Sequence, residues 1–324
     1  MNINSISVSN LYKTNLNKNQ NVVSSNCKLA SDCFVKSSNV SFSSLTGKQQ
    51  RQQKVDSFMK DLVLRVNSPK FSISDVSNSM KKCVKNISVK PMSQAPKELL
   101  FSSSLQGLYC ADLNFDEANN RFFYPQRNRN FYLRTETFNK PYGKLEVFVN
   151  AVHELTHALQ TDDAEANQIA LFNNYVAEHK DDVDSAVKQI EVAVSTINKI
   201  EESIARPFIN TLVSNEDLSY DRLQRGQSDF VSWLCRKNRV EDFDAYIQEK
   251  VNQEVLKIEE NSDIVVDKKL LLDTTINHFE REIEAYQNEN KAHKMLLGVE
   301  NTRALTRIQL YQKSIDILKN MRKI

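Results

Sequence analysis

Two histidines and a glutamate are spaced so that one helix could carry a metal site and a base beside it. His153 and His157 are four residues apart, which places both imidazoles on the same side of a helix, one turn apart. Imidazoles so placed can bind one Zn²⁺ at about 2.0–2.1 Å. Glu154 projects about 100° further round the helix, beside the ion, where its carboxylate can accept a proton from water. The three residues predict water activation at zinc.

The flanking residues predict the helix that this arrangement requires. Apolar residues recur at helical spacing on one face of a helix over 144–160: Leu145, Phe148, Val149, Val152, Leu155 and Leu159. Two of the five histidines in the chain fall within this helix. A chain of this length and composition would contain the pattern HExxH by chance roughly 0.005 times, which favours a real site over a coincidence.

Residues 152–160 read Val-His-Glu-Leu-Thr-His-Ala-Leu-Gln, which resembles the HELxHAxQ form of bacterial metallopeptidase-like domains, including effector and toxin domains. In those families both motif histidines bind zinc and the glutamate is the general base. The resemblance therefore implies these roles for His153, His157 and Glu154. It also implies a zincin-like fold, in which a small sheet packs on the HExxH helix.

A catalytic zinc site uses three protein ligands and leaves one position open. We favour Glu282 as the third ligand, because residues 282–286 resemble the ExEAY form of the same families and the small alanine allows close helix approach. Asp163 and Glu165, directly after the motif helix, are the alternative. A metzincin-like return to Asp163 would need glycine at the turn, where this chain has Gln160.

Other polar residues are weaker candidates. Glu202 also matches the loose ligand pattern, and His278 stands four residues before Glu282, so it could face the same site. A lone histidine is more often a surface residue, and we expect that of His278, His179 and His293. Three tyrosines could stabilise an oxyanion, and the sequence does not choose among them: Tyr220, Tyr246 and Tyr286.

The chain around the motif predicts an α+β fold that is mostly α. An amphipathic helix is expected over 49–66, and aromatic runs with polar turns indicate a sheet region over 108–139. Its last run, 130–134, would be the edge strand that receives an extended substrate in metallopeptidases. Residues 161–324 are expected to be helical, with helices at 216–258, 264–297 and 299–321 and breaks only at Pro207, Gly226 and Gly298.

Within that helical part, apolar residues over 183–204 follow 4-3-4-3-7 spacing. This pattern fits either a helix packed within its own domain, which we favour, or a coiled coil with a partner.

Composition excludes several classes of protein. Lys+Arg 43 against Asp+Glu 41 gives a net charge of +2, so we expect no nucleic-acid partner. No apolar run reaches the roughly 18–20 residues of a membrane span. Only five glycines and six prolines argue against barrels and sandwiches. The five cysteines form no CxxC pair, so neither a disulfide framework nor a cysteine zinc finger is expected.

Residues 1–50 contain 11 Ser, 9 Asn, five Lys and one acid, a composition typical of disorder. This segment resembles the secretion signal of bacterial type III effectors, and a plain disordered tail or an organelle transit peptide would also fit. The resemblance implies secretion into the host cell cytoplasm, with a chaperone at the N-terminal region and a host protein as substrate. Residues 51–324 would form the metallopeptidase-like domain.

The sequence thus predicts a zinc endopeptidase with Glu154 as base and His153, His157 and Glu282 as ligands. Two other functions stay open. One is a non-catalytic helical scaffold, which would bind no metal, and the other is a zinc hydrolase of a non-peptide substrate, because HExxH specifies water activation and not the substrate.

Overall fold

The computed structural model describes residues 6–7, 46–96, 107–140, 143–163, 166–214 and 230–323. Helices dominate these residues: α1 (Gly47–Val66), α2 (Ile73–Cys83), α3 (Gly143–Thr161), α4 (Ile169–Glu178), α5 (Val183–Ser214), α6 (Phe230–Lys237), α7 (Phe243–Asn261), α8 (Lys268–Leu297) and α9 (Thr302–Met321). The strands are short: β1 (Ile6–Ser7), β2 (Ile87–Pro91), β3 (Gly107–Cys110), β4 (Asp112–Asp116), β5 (Arg121–Phe123) and β6 (Arg129–Leu133). The α+β, mostly α prediction is confirmed. None of the described helices is long and apolar enough to cross a membrane.

Helix α1 begins inside the segment that composition assigns to the disordered tail. Thr46 and Gln49 form a capping box, in which Gln49 N donates to Thr46 Oγ1 at 3.3 Å and Thr46 N donates to Gln49 Oε1 at 2.9 Å. The helix predicted over 49–66 is therefore present and begins two residues earlier than expected. Near the start of the chain, Ile6 and Ser7 form β1, which pairs antiparallel with β4. The rest of the predicted tail lies outside the described residues.

The sheet that packs against α3 has the strand order β2-β6-β3. Strand β6 pairs in parallel with β2, with Val89 opposite Phe131, and antiparallel with β3, with Tyr109 opposite the same Phe131. The run at 130–134 is thus the central strand, and its predicted role as a substrate-binding edge is wrong. Strand β2, which pairs with the other side of β6, lies in a Ser/Lys-rich stretch for which no strand is predicted.

The second sheet is a hairpin of β4 and β5 around residues 117–120, within the predicted sheet region 108–139, with β1 on the other side of β4. The outer edge of β5 is covered by a side chain of α4. Phe122 N donates to Asn173 Oδ1 at 2.6 Å, and Asn173 Nδ2 donates back to Phe122 O at 3.2 Å. The amide of Asn173 therefore replaces a neighbouring strand and satisfies backbone groups that would otherwise be exposed at an edge.

Two large apolar clusters meet at α3 and α8. One contains α1, α2, the β2-β6-β3 sheet and the apolar face of α3, and the other contains α4, α5, α7, α9 and most of α8. Helix α8 contacts α3, α5 and α9, so it lies between them. The apolar residues of α5, including Ile190, Val194 and Ile204, are buried in the second cluster. The 4-3-4-3-7 pattern therefore reflects packing within this chain.

Two predicted features of the helical part are wrong. Pro207 does not interrupt α5. A proline removes the N–H that would bond to the carbonyl four residues earlier, and here Tyr246 Oη donates to that carbonyl, Ser203 O, at 2.9 Å. The single helix expected over 216–258 is broken after α6. Arg239 has a φ of 56°, and Asp242 caps α7 by accepting from two backbone N–H groups.

Asp61 joins α1 to α2 through a buried hydroxyl. Ser79 Oγ donates to Asp61 Oδ2 at 2.6 Å and Lys82 Nζ lies 2.9 Å from it. These partners lower the pKa of Asp61 from 3.8 to about 2. Because the folded-state pKa is depressed, this stabilisation is present above pH 4 and is lost as the pH falls towards 2.

We expect Asp61→Asn to lower the free energy of unfolding at pH 7 by about 1–2 kcal/mol, after allowance for solvent screening. The difference from the wild type should close near pH 2. Urea unfolding at both pH values measures it, with the exposed Glu260→Gln as control. A loss of equal size at pH 2 and pH 7 would show that Asp61 does not act through its charge.

Candidate metal centre

The motif helix and α8 meet along a polar seam. The side chains of 153, 156, 157 and 160 recur at helical spacing on one face of α3. They contact 281, 282, 284, 286, 288 and 289 of α8. The two helices run antiparallel, since His153 meets Glu289 while Gln160 meets Arg281. The opposite face of α3 is apolar and packs on the sheet and α1. The amphipathic pattern of α3 therefore turns the motif histidines towards α8.

Three of the predicted ligands lie together on this seam. His153, His157 and Glu282 each offer one ligand atom, and these atoms all lie within 4.8 Å of one another. The two Nε2 atoms are 2.9 Å apart, and the Glu282 carboxylate lies 3.2 Å from His157 Nε2 and 3.7 Å from His153 Nε2. Neighbouring ligands of a tetrahedral zinc are about 3.3 Å apart when the bonds are about 2.0–2.1 Å. The spacing of the group fits such an ion.

The orientation of His153 is set from α8. His153 Nδ1 lies 3.0 Å from Glu289 Oε2, a carboxylate oxygen that can only accept, so Nδ1 carries the proton and Nε2 presents its lone pair. The other oxygen of Glu289 accepts from Asn301 Nδ2 at 2.9 Å. The Glu289 carboxylate, itself held by Asn301, therefore fixes both the tautomer and the ring orientation of His153, as carboxylates commonly do for histidines that bind a metal.

The orientation of His157 is set by an amide instead. Gln160 Nε2 donates to Arg281 O at 3.0 Å and to Glu284 Oε2 at 3.2 Å, which fixes the amide and turns Oε1 towards His157. His157 Nδ1 donates to Gln160 Oε1 at 3.0 Å, so its Nε2 is also a lone pair. Arg51 of α1 holds the Glu284 carboxylate through Nε and Nη2 at 3.2 and 3.0 Å.

With these tautomers, the two histidine Nε2 atoms and the two oxygens of Glu282 face one another as hydrogen-bond acceptors. Four acceptors repel one another unless a cation or a proton lies between them. In the neutral rings both Nε2 atoms are acceptors only, as are the two oxygens of Glu282. Without a metal, a proton takes this place. Burial works against a charged His153, but hydrogen bonds to Glu282 and Glu289 outweigh it and raise its pKa to about 10. Burial lowers the pKa of His157 to about 3. The donor set is that of a buried divalent cation site.

Glu154 lies outside the ligand group and is held from the sheet. Tyr109 N, on the outer side of β3, donates to Glu154 Oε2 at 2.9 Å. Glu154 is 1% exposed, and among the described residues its Oε1 has no hydrogen-bond partner. Burial raises the pKa of Glu154 to about 7, and the charge of His153 opposes the rise. A carboxylate with one fixed oxygen and one open oxygen, titrating near neutrality, is suited to accept and return a proton.

The alternative ligands take other partners. Asp163 forms an ion pair with Arg51, and Glu202 pairs with Arg206 at 2.8 Å on α5. Glu165 lies outside the described residues. His278 is 1% exposed, so the expectation that it lies on the surface is wrong.

His278 does not join the ligand group, because its Nε2 lies 2.9 Å from Glu201 Oε2 in a separate buried cluster with Arg307 and Tyr311. The histidines at 179 and 293 are exposed, as expected.

One of the three candidate tyrosines lies against the site. The ring of Tyr286 packs edge-on against His153, with ring centroids 4.8 Å apart. Tyr246 instead donates to the carbonyl left free by Pro207, and Tyr220 lies outside the described residues. Tyr286 is fully buried, and burial raises its pKa well above the usual value, so its hydroxyl stays a donor.

Sequence reasoning missed the residues that orient the histidines. From the sequence, Gln160 only disfavours a tight return to Asp163, and no role is predicted for Glu289. A signal was present, since Gln160 is seven residues after His153 and Glu289 is seven residues after Glu282, which is two helical turns in each case. In comparisons with known proteins, the chain matches no family profile, no curated protein and no solved structure.

Proposed function

We propose that the protein is a zinc-dependent peptidase with a zincin-like arrangement of sheet and motif helix. One observation carries the proposal. Both motif histidines are fixed by hydrogen bonds at Nδ1, by Glu289 and Gln160, so that both Nε2 atoms converge with Glu282 on a single cation position. Three protein ligands leave a fourth position for substrate or water, as in catalytic rather than structural zinc sites.

A zinc ion held here would acidify a water molecule and polarise a carbonyl group. The chain supplies the proton transfer. The open Oε1 of Glu154 accepts the proton of the attacking water, while Tyr109 N holds Oε2 in place. Glu154 then delivers the proton to the leaving amine. The buried hydroxyl of Tyr286, beside His153, is the candidate donor to a developing oxyanion.

The proposed substrate is a host protein, cut after secretion of the enzyme by a bacterium. The support is compositional, since residues 1–50 carry 11 Ser and 9 Asn with one acidic residue. A second candidate, a zinc hydrolase of a small non-peptide substrate, is favoured by burial, because His153, His157 and Glu282 are each at most 2% exposed.

Zinc content and its link to hydrolysis test the proposal. We expect elemental mass spectrometry of the purified chain to find about one zinc per molecule. Removal with a chelator should abolish cleavage of an unstructured protein such as casein, and added Zn²⁺ should restore it. No zinc after reconstitution would overturn the proposal in favour of a helical scaffold. Zinc without peptide cleavage would favour the small-substrate hydrolase.

A further inference from the structure

Arg281 is a buried cation that has no negative partner among the described residues. It is 8% exposed, its Nη1 has no acceptor, and it forms no ion pair with any described residue. Its guanidinium hydrogen-bonds to neutral groups: Nε donates to Gln160 Oε1 over a long 3.4 Å, where the oxygen also accepts from His157, and the Tyr124 side chain is a further partner. An unpaired buried charge is strongly destabilising, so an arginine in this state indicates an anion that is present during function.

The surroundings of Arg281 are rich in donors. Tyr124 lies against its guanidinium, where burial raises the pKa of the phenol and the charge of Arg281 opposes the rise. Tyr109 interacts electrostatically with both Tyr124 and Arg129. Arg129 is 1% exposed and pairs with Asp162, but its Nε also lacks an acceptor. Two buried guanidinium N–H groups to which the described part of the chain offers no acceptor therefore lie in one cluster.

This cluster adjoins the metal centre. Only the Gln160 amide separates Arg281 from His157, through hydrogen bonds of 3.4 and 3.0 Å. The distance from the Arg281 guanidinium to the His157 ring therefore corresponds to about one to two residues of an extended peptide chain. Along α8, Arg281 and the proposed ligand Glu282 are adjacent and point about 100° apart. An anion bound by Arg281 would thus belong to a residue next to the bond that is cut.

We propose that Arg281, with Tyr124 and Arg129, forms a carboxylate subsite that selects peptides bearing a carboxylate beside the scissile bond. The inference rests on the proposed peptidase function and names its substrate class. A guanidinium matches a carboxylate because two N–H groups can donate in parallel to its two oxygens. The carboxylate is either the C-terminal group of the substrate or an Asp or Glu side chain, and both present the same chemistry.

Binding of matched peptide pairs tests the subsite without turnover. The protein is the full chain with Glu154→Gln. One pair is acetyl-Ala-Ala-Ala with a free C-terminus and its C-terminal amide. The other is acetyl-Ala-Glu-Ala-amide and acetyl-Ala-Gln-Ala-amide. We expect calorimetry to show that the charged member of one pair binds about 10- to 100-fold more tightly. The pair that shows the difference identifies the source of the carboxylate. Equal affinities within both pairs would overturn the inference.

Substitutions locate the effect. Arg281→Gln should remove the preference for the charged peptide. Arg281→Lys should retain only part of it, because lysine keeps the charge but lacks the two parallel N–H donors of a guanidinium. Arg206→Gln, on the exposed side of α5, is the matched control and should keep the preference. A preference that survives Arg281→Gln would place the anion elsewhere and contradict the assignment.

Stability without peptide separates a binding role from a structural one. Arg281→Met removes an unpaired buried charge, so we expect the urea midpoint to stay the same or rise. A clear fall would identify Arg281 as a structural residue and overturn the inference. Zinc content is measured for each variant. If the protein binds zinc but shows no preference for carboxylates, the peptidase proposal stands and the subsite is excluded. If it shows the preference but binds no zinc, the subsite stands and the peptidase proposal is excluded.

Discussion

Replacing Glu154 with glutamine is expected to lower hydrolysis by about 10²- to 10⁴-fold, the usual contribution of a general base. Zinc should remain bound, because Glu154 lies beside the ligand group and is held by Tyr109 N on β3. Glutamine has nearly the same shape, so the fold should be kept. The measurement is the rate of peptide cleavage, with zinc content determined on the same preparations.

Glu146→Gln is the matched control for this experiment. Glu146 lies on the same helix, two turns before Glu154, and is partly buried, yet it takes no part in the ligand group. Its substitution should leave the cleavage rate within about twofold, the effect expected away from a catalytic group. If Glu154→Gln cleaved peptides as fast as the wild type, Glu154 would not be the base.

The second large effect is expected at Glu282, where substitution by glutamine should weaken zinc binding by about a hundredfold to a thousandfold. The estimate follows if the roughly 10–16 kcal/mol of a four-ligand zinc site is shared evenly among its ligands. Glu282 is fully buried between the two histidines, and electrostatic attraction to His157 helps keep its pKa well below the usual value despite burial. The carboxylate is therefore charged and ready to bind a cation.

Competition with a chromogenic chelator measures this affinity, and circular dichroism checks that the zinc-free variant is folded. Glu280→Gln is the control, since Glu280 lies on the same helix but is exposed and pairs with Lys319 at 3.4 Å. An unchanged zinc affinity in Glu282→Gln would exclude this carboxylate as a ligand. A loss of similar size in Glu280→Gln would indicate a general effect of charge on α8.

The helices were predictable because their patterns are local. The apolar spacing of α3 and the residues around Gly298, whose φ is 72°, define the ends and faces of long helices. The order of the strands was not predictable, because it depends on pairing between distant segments. Nothing in the stretch 87–91 shows that it takes the outer side of β6, and this pairing moves β6 from the edge to the centre. The prediction of a helix break at Pro207 is wrong for the same reason, since the group that compensates for the missing N–H, the hydroxyl of Tyr246, is 39 residues away.

The candidate site was predictable in part. The histidines and Glu154 follow from spacing on one helix, and Glu282 was favoured on a local resemblance. The partners that fix the rings come from a second helix, and their identity depends on how the two helices meet. Glu289 reaches His153 only because α8 runs antiparallel to α3. Arg281 carries no pattern in the sequence, since its significance is that no carboxylate of the described residues forms an ion pair with it.

The proposed ligands and the groups that orient them all lie in two short segments, 153–160 and 281–289. Between them the chain forms α4 to α7, none of which supplies a ligand among the described residues. Evolution can therefore lengthen, shorten or replace surface parts of the intervening chain while the chemistry is inherited intact. Such a protein can change over most of its length and still retain the chemistry, provided that the residues of these two short segments are kept.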